Sequence, residues 1–222
     1  CLRNMHTTEM PAYYAQRAKV YEDIYHRREP SRVREQVGLR RDLTNTLRSR
    51  RVLEVACGTG YWTQFAALTA RSIVAADINP EVLDIAKRTK EYSCEVTFRK
   101  ADAFHLPFKQ GSFSGGLANF WFSHIPKARR IEFLDHFHSF LQPGSSVFMA
   151  DNVYNEGVGG ELLTPDGEDD TFKLRNLDDG SQFTIVKNYP TQEELETIFE
   201  PYASRLDIHF GQHFWHLSYH TK

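Results

Sequence analysis

Between residues 52 and 151, short strand-like apolar runs alternate with helical periodicities, an alternation that few architectures accommodate. Val52–Cys57, Ser72–Asp77, Glu95–Lys100, Gly115–Phe120 and Ser146–Asp151 read as strands. Between them lie helical stretches at Tyr61–Ala70, from Asn79-Pro80-Glu81 onward, and near Pro126–Leu141. The second helix opens with a capping residue, a first-turn proline and a first-turn acid. Strands separated by helices imply βαβ units, and so a mostly parallel sheet with helices on both faces.

Upstream, residues 11–29 and 31–48 read as two helices broken at Pro30, with Ser31 placed to cap the second. Downstream the pattern changes. Thr171–Leu177 and Ser181–Asn188 flank Asp178-Asp179-Gly180, a hairpin signal. A helix follows at Thr191–Phe199, where Thr191 and Glu194 have capping-box spacing. Arg205–Phe210 and His213–Tyr219 are separated only by Gly211-Gln212, so these last strands are antiparallel neighbours. The expected fold is a three-layer α/β domain over residues 1–222, a seven-stranded, mostly parallel sheet with a reversed last strand and a hairpin insertion. Residues 1–48 are expected to form a helical lid and 152–190 a cap over the site.

The chain is 222 residues long, enough for one domain with a sizeable core. Its net charge of −2, from 27 basic and 29 acidic side chains, argues against a large nucleic-acid footprint. No apolar run reaches the roughly 18–20 residues of a membrane span. The start lacks the apolar core of a secretory signal, Met5 is an expected initiator, and Cys1, Cys57 and Cys94 make no disulfide framework. A cytoplasmic setting is expected.

The chemistry centres on Ala56-Cys57-Gly58-Thr59-Gly60, between the first strand and its helix. Glycines there let a ligand approach the main chain, and the helix start offers unpaired amides. A dinucleotide turn wants a third glycine, whereas Tyr61, Trp62 and Thr63 follow here. Glu54-x-Ala56-Cys57-Gly58-Thr59-Gly60 resembles the first motif of the class I S-adenosylmethionine-dependent methyltransferases, with Ala56 in place of the first glycine. Other landmarks of that family fall in order. The resemblance implies that Asp77 holds the ribose hydroxyls and that Ile78 packs on the adenine. Ala101-Asp102-Ala103 would meet the adenine amino group, and Asn119 would offer main-chain contact to the methionine ammonium. Tyr14-x-x-x-Ala18-x-x-Tyr21 resembles the N-terminal lid of small-molecule members. The implied fold is Rossmann-like, and the implied cofactor is S-adenosyl-L-methionine, with S-adenosyl-L-homocysteine as product. Glu54, Ala56, Cys57, Gly58 and Gly60 complete the expected cofactor contacts.

The methyl acceptor is expected to be a small molecule with an aromatic or apolar part, reacting at O, N, S or C. The Asn/Asp-Pro-Pro-Tyr run of enzymes that methylate nucleic-acid amino groups is absent, which points away from DNA, and RNA is disfavoured. His124, after the fourth strand, is the candidate base or orienting residue, because imidazole titrates in the useful range. Trp121, Phe122, Asn152 and Tyr154 are candidate acceptor contacts. Arg175 and Lys187 on the hairpin would suit an anionic acceptor, or else be solvated charges. Tyr13, Tyr14, Arg17, Tyr21 and Tyr25 share helix spacing; they either close over the cofactor or pin the helix to the domain. No metal is expected: His209, His213, His216 and His220 read as surface strand residues, and His136 and His138 diverge on their helix. Two rival readings are a nicotinamide-dependent reductase, which lacks the third glycine and a Tyr-x-x-x-Lys pair, and a non-catalytic cofactor-binding protein.

Overall fold

A computed structural model describes residues 2–17, 22, 29–177 and 179–222, with side chains in the first helix from Met10 onward. The helices are α1 (Leu2–Arg17), α2 (Pro30–Thr46), α3 (Tyr61–Ala67), α4 (Pro80–Thr89), α5 (Arg130–Ser139) and α6 (Gln192–Phe199). The strands are β1 (Arg51–Val55), β2 (Ser72–Asp77), β3 (Glu95–Lys100), β4 (Phe113–Asn119), β5 (Leu141–Asn152), β6 (Leu162–Leu163), β7 (Phe172–Asn176), β8 (Gln182–Val186), β9 (Ala203–Phe210) and β10 (Phe214–Thr221). Tyr21, Tyr25, Ala18 and Asp178, all singled out in the sequence, lie outside the described residues.

The main sheet has the order β3-β2-β1-β4-β5-β10-β9. β1 pairs in parallel with both β2 and β4, and β4 with β5. β10 alone is reversed, antiparallel to β5 on one side and to β9 on the other. β1 and β4 are buried almost end to end, as central strands covered on both faces must be. On one face α5 and α6 bury Phe133, Phe137, Phe199 and Trp215; on the other α2 and α3 bury Leu39, Leu43, Trp62 and Ala66. Gly116 in β4 is required by this packing, since a Cβ there would stand 2.8 Å from the Phe137 ring. From β1 the chain winds outward through β2 and β3, then returns to β4 on the opposite side. The strand order therefore reverses between β1 and β4, which opens a crevice at their carboxyl ends.

Several boundaries depart from expectation. α1 starts at Leu2, well before the expected residue 11, and of the expected stretch 11–29 residues 18–21 and 23–28 lie outside the described ones. Pro30 itself starts α2, one residue before the expected start, with the extended Glu29 at the cap position. Ser31 is therefore not the cap, and its hydroxyl instead meets His213 Nε2 at 2.8 Å. β5 begins earlier than its apolar run, at Leu141 opposite Phe113. Thr191 caps α6 in a complete capping box, as its spacing predicted.

The second sheet, β6-β7-β8, is antiparallel, with β7 and β8 as the expected hairpin. It rests against α1, where the Tyr13 ring stands 5.7 Å from that of Phe183. Among the described residues, no helix is long and apolar enough to cross a membrane. No group of three or more His, Cys, Asp or Glu gathers there for a metal. His213 and His216 are nevertheless not surface residues: both are buried, against Ser31 and Asp42 respectively.

Candidate active site

The turn after β1 is built from left-handed backbone. Ala56, Gly58 and Gly60 have φ of 52°, 54° and 78°. Gly60 has no room for a side chain, because a Cβ would fall 2.4 Å from the Tyr92 hydroxyl. Ala56 takes on this conformation without glycine's freedom, and so does Phe120, at φ 57°, just beyond β4. Two strained positions of about 1–3 kcal/mol each thus flank the reversal point, where functional strain tends to concentrate.

Asp77, at the end of β2, holds the turn in place. Its Oδ2 accepts the Gly58 amide and its Oδ1 the Asn79 amide, each at 2.9 Å. Each oxygen keeps further acceptor capacity. Burial raises the Asp77 carboxyl above its ordinary range, against the pull of the Asn79 and Gly58 amides.

A cleft of about 300 Å³ opens above this turn. Ala56, Gly58, Asp77, Ile78, Ala101, Asp102 and Ala103 line it from the ends of the first three strands, together with Tyr14, Trp121 and His124. The structure thus brings these ten anticipated residues to one space. Met10, Pro11, Asn79, Val82, Phe104, Phe120 and Arg129 also line it and went unread in the sequence. Arg129 lies 3.7 Å above the Phe104 ring and pairs with Glu132. That stacked arrangement has no sequence signal at a spacing of 25 residues. Asp102 turns partly inward on its own loop, with Oδ1 accepting the Phe104 amide at 2.9 Å and Oδ2 beside the His105 ring at 3.1 Å.

Glu54, Cys57, Gly60 and Asn119 do not line the cleft but lie beneath or beside it. Glu54 is 2% exposed, and burial pushes its carboxyl up to about 8. Both side-chain polar atoms of Asn119, and Oε2 of Glu54, are buried without a partner. Such groups are costly unless something binds against them. Phe122 is a correction: it is fully buried, packed on Phe199 and Trp215 in the core, and turned away from any acceptor. Tyr154 is likewise displaced, 43% exposed and packed edge-on to Tyr189.

A second, more polar cavity of about 250 Å³ adjoins the cleft. Tyr14, Phe120 and His124 line both spaces, so the two meet at these side chains. Asn152, Arg175 and Lys187 line the second cavity, with Arg17, Arg32, Tyr189 and His213. Lys187 is not a solvated charge. It is 4% exposed, and its Nζ donates to Ser123 Oγ at 2.6 Å and Asp151 Oδ1 at 2.9 Å. Burial would raise the Asp151 carboxyl, but the Lys187 cation and the Ser123 amide, 2.9 Å from Oδ2, hold it below the ordinary range.

His124 sits 2.8 Å from the Val186 carbonyl through Nδ1 and 2.8 Å from the Tyr14 hydroxyl through Nε2. A carbonyl only accepts, so Nδ1 carries the proton. Burial, then the Lys187 charge, lowers the His124 pKa to about 3, so the ring is neutral and Nε2 accepts from Tyr14. The site accordingly offers a fixed imidazole acceptor and a phenol, not a base ready to charge at neutral pH.

Residues 52–144 match a family described as a methyltransferase domain. A demethylmenaquinone methyltransferase of Clavibacter sepedonicus is 30% identical over 101 residues, 46% of this chain and 40% of that protein. The chain thus spans less than half the length of that curated relative. The DhpI–SAM–HEP complex is similar at 25% identity, with TM-score 0.76 over 96% of both chains. A Burkholderia thailandensis 1,6-didemethyltoxoflavin-N1-methyltransferase, with bound 1,6-didemethyltoxoflavin and S-adenosylhomocysteine, shares the fold at 16% identity, with TM-score 0.65 over 99% of this chain and 90% of that one. Motif order, sheet topology and these likenesses agree: residues 52–144 carry a methyltransferase domain, and the fold is that of S-adenosylmethionine-dependent methyltransferases.

Proposed function

We propose that the first cleft binds S-adenosylmethionine and that a small-molecule acceptor occupies the adjoining cavity, the methyl passing where the two spaces meet. The observation that carries this reading is that junction at Tyr14, Phe120 and His124. The bound cofactor supplies an activated methyl group with a neutral thioether as its leaving group. The remaining work falls to the chain. Asp77, already holding the turn, has acceptor capacity for a vicinal diol, and Ile78, Val82 and Phe104 supply apolar surface for a flat base. The unpartnered carboxyl oxygen of Glu54 and carboxamide of Asn119 are buried beside the cleft, and a positively charged group bound there would favour the ionised form of Glu54. His124 fixes the Tyr14 hydroxyl, which lines both spaces at the junction and orients the acceptor atom by hydrogen bonding.

In this reading residues 1–48 act as a lid and 152–190 as a cap on a single domain over 1–222. Tyr13 packed on Phe183 ties the first helix to the hairpin, and Lys187 paired with Asp151 ties the hairpin to the end of β5, which supports that role. Calorimetric titration with S-adenosylmethionine, S-adenosylhomocysteine and NAD tests the cofactor assignment. Micromolar binding of the first two is expected, and binding of NAD alone would overturn it. Transfer of a labelled methyl across a panel of small metabolites tests the reaction itself.

A further inference from the structure

The second cavity has an unbalanced charge distribution. Arg17 donates to the Tyr13 hydroxyl at 2.6 Å, and Arg175 to the Gly159 carbonyl; among the described residues neither guanidinium has a carboxylate against it. Arg175 Nε is also buried without a partner. Lys187 adds a third cation at the floor, its charge matched by Asp151. Glu29 and Glu156 line the same cavity, but both are exposed at its rim, and Glu29 stands 3.8 Å from His213. Positive charge is therefore concentrated inside and negative charge outside.

The Arg175 side chain is held in advance. A Cβ at Gly159 would lie 2.7 Å from its Nη1, and one at Gly160 would lie 2.2 Å from the Leu174 carbonyl, so this glycine-rich loop closes around the guanidinium. A fixed fork of N–H donors in a half-enclosed space matches an oxyanion. The unpartnered Nε, which costs free energy when empty, supplies a donor for one.

We propose that the second cavity takes an acceptor bearing a carboxylate or phosphoryl group, with Arg175 as its specificity-determining contact and Arg17 as a supporting charge. This inference rests on the acceptor assignment above and narrows it to small anions. The lack of a residue poised to take a proton fits an acceptor that reacts through an already deprotonated oxygen, since no proton then has to leave as the methyl–sulfur bond breaks.

The test uses ligand-observed NMR with and without S-adenosylhomocysteine. The probes are inorganic phosphate, methylphosphonate and benzoate, with dimethyl methylphosphonate and benzamide as uncharged counterparts. The expected result is saturable binding of at least one anion, tenfold or more weaker in Arg175→Gln and severalfold weaker in Arg17→Gln. Arg175→Lys should recover part of the loss, which a purely structural role for Arg175 would not allow. Preference for methylphosphonate or for benzoate tells the phosphoryl from the carboxylate source. No anion binding, equal binding of the uncharged probes, or unchanged affinity in Arg175→Gln would overturn the inference. Calorimetry of S-adenosylhomocysteine on the same samples reads the cofactor assignment separately. Intact cofactor binding without anion binding would sink only the acceptor class.

Discussion

The Tyr14 hydroxyl and His124 Nε2 stand 2.8 Å apart across 110 residues of sequence, joining the first helix to the end of the fourth strand. Val186, on the inserted hairpin, fixes the other ring nitrogen. The three segments thus converge on one imidazole at the junction of the two cavities. An orienting role predicts a specific kinetic pattern. His124→Ala should lower turnover a hundredfold or more while leaving cofactor affinity within about threefold, and Tyr14→Phe should lower it by roughly tenfold, the worth of one hydrogen bond. Equal losses in turnover and cofactor affinity for His124→Ala would reject the role.

Acid should destabilise the fold through the same ring. His124 titrates near 3 when folded and near 6.5 as a free side chain, so between those values the unfolded chain binds a proton that the folded chain refuses. Stability then falls as pH drops below about 6.5, by up to about 1.4 kcal/mol per unit from this group. Glu54, raised from 4.5 to about 8, acts in the opposite sense, since its contribution is lost as pH rises through that window. Urea unfolding of wild type and His124→Gln from pH 7 to pH 4.5 isolates the histidine, because Glu54 is common to both. Parallel stability curves would show that the ring is not depressed.

Asp77→Asn should weaken both fold and cofactor binding. An amide has one acceptor oxygen where the carboxylate offers two, so either the Gly58 or the Asn79 amide loses its partner. The expected cost is about 1–3 kcal/mol in unfolding free energy. S-adenosylhomocysteine affinity should fall at least tenfold in calorimetry.

Lys187→Met should be more severe than its place on a hairpin suggests. It would leave Asp151 buried without its cation, a loss of about 3–5 kcal/mol. The double variant Asp151→Asn/Lys187→Met should regain much of that, since no unpaired charge remains. Additive losses in the thermal melts would show that the pair is not coupled.

Much of the scaffold was legible because its signals are local. β2 and β3 lie where their apolar runs placed them, and Thr191 caps α6 as its spacing required. The antiparallel pairing of β9 with β10 followed from their short connection, three residues in the structure, which cannot carry a parallel crossover. The start of α2 was misread by one residue because a proline signals a boundary without saying on which side the helix lies.

The same division runs through the site. Glycine spacing and acids at strand ends depend on backbone conformation and chain order, so the sequence alone determined the turn at Gly58–Gly60 and the cleft residues Asp77, Ile78 and Asp102. Side-chain direction depends on packing between distant segments, which no local pattern encodes. Only the tertiary structure decided that Phe122 points into the core while its neighbour Trp121 faces the cleft. The tertiary structure also sank Lys187 into an ion pair and set Arg175 against a second cavity. That cavity exists because strand ends, first helix and hairpin close on one another.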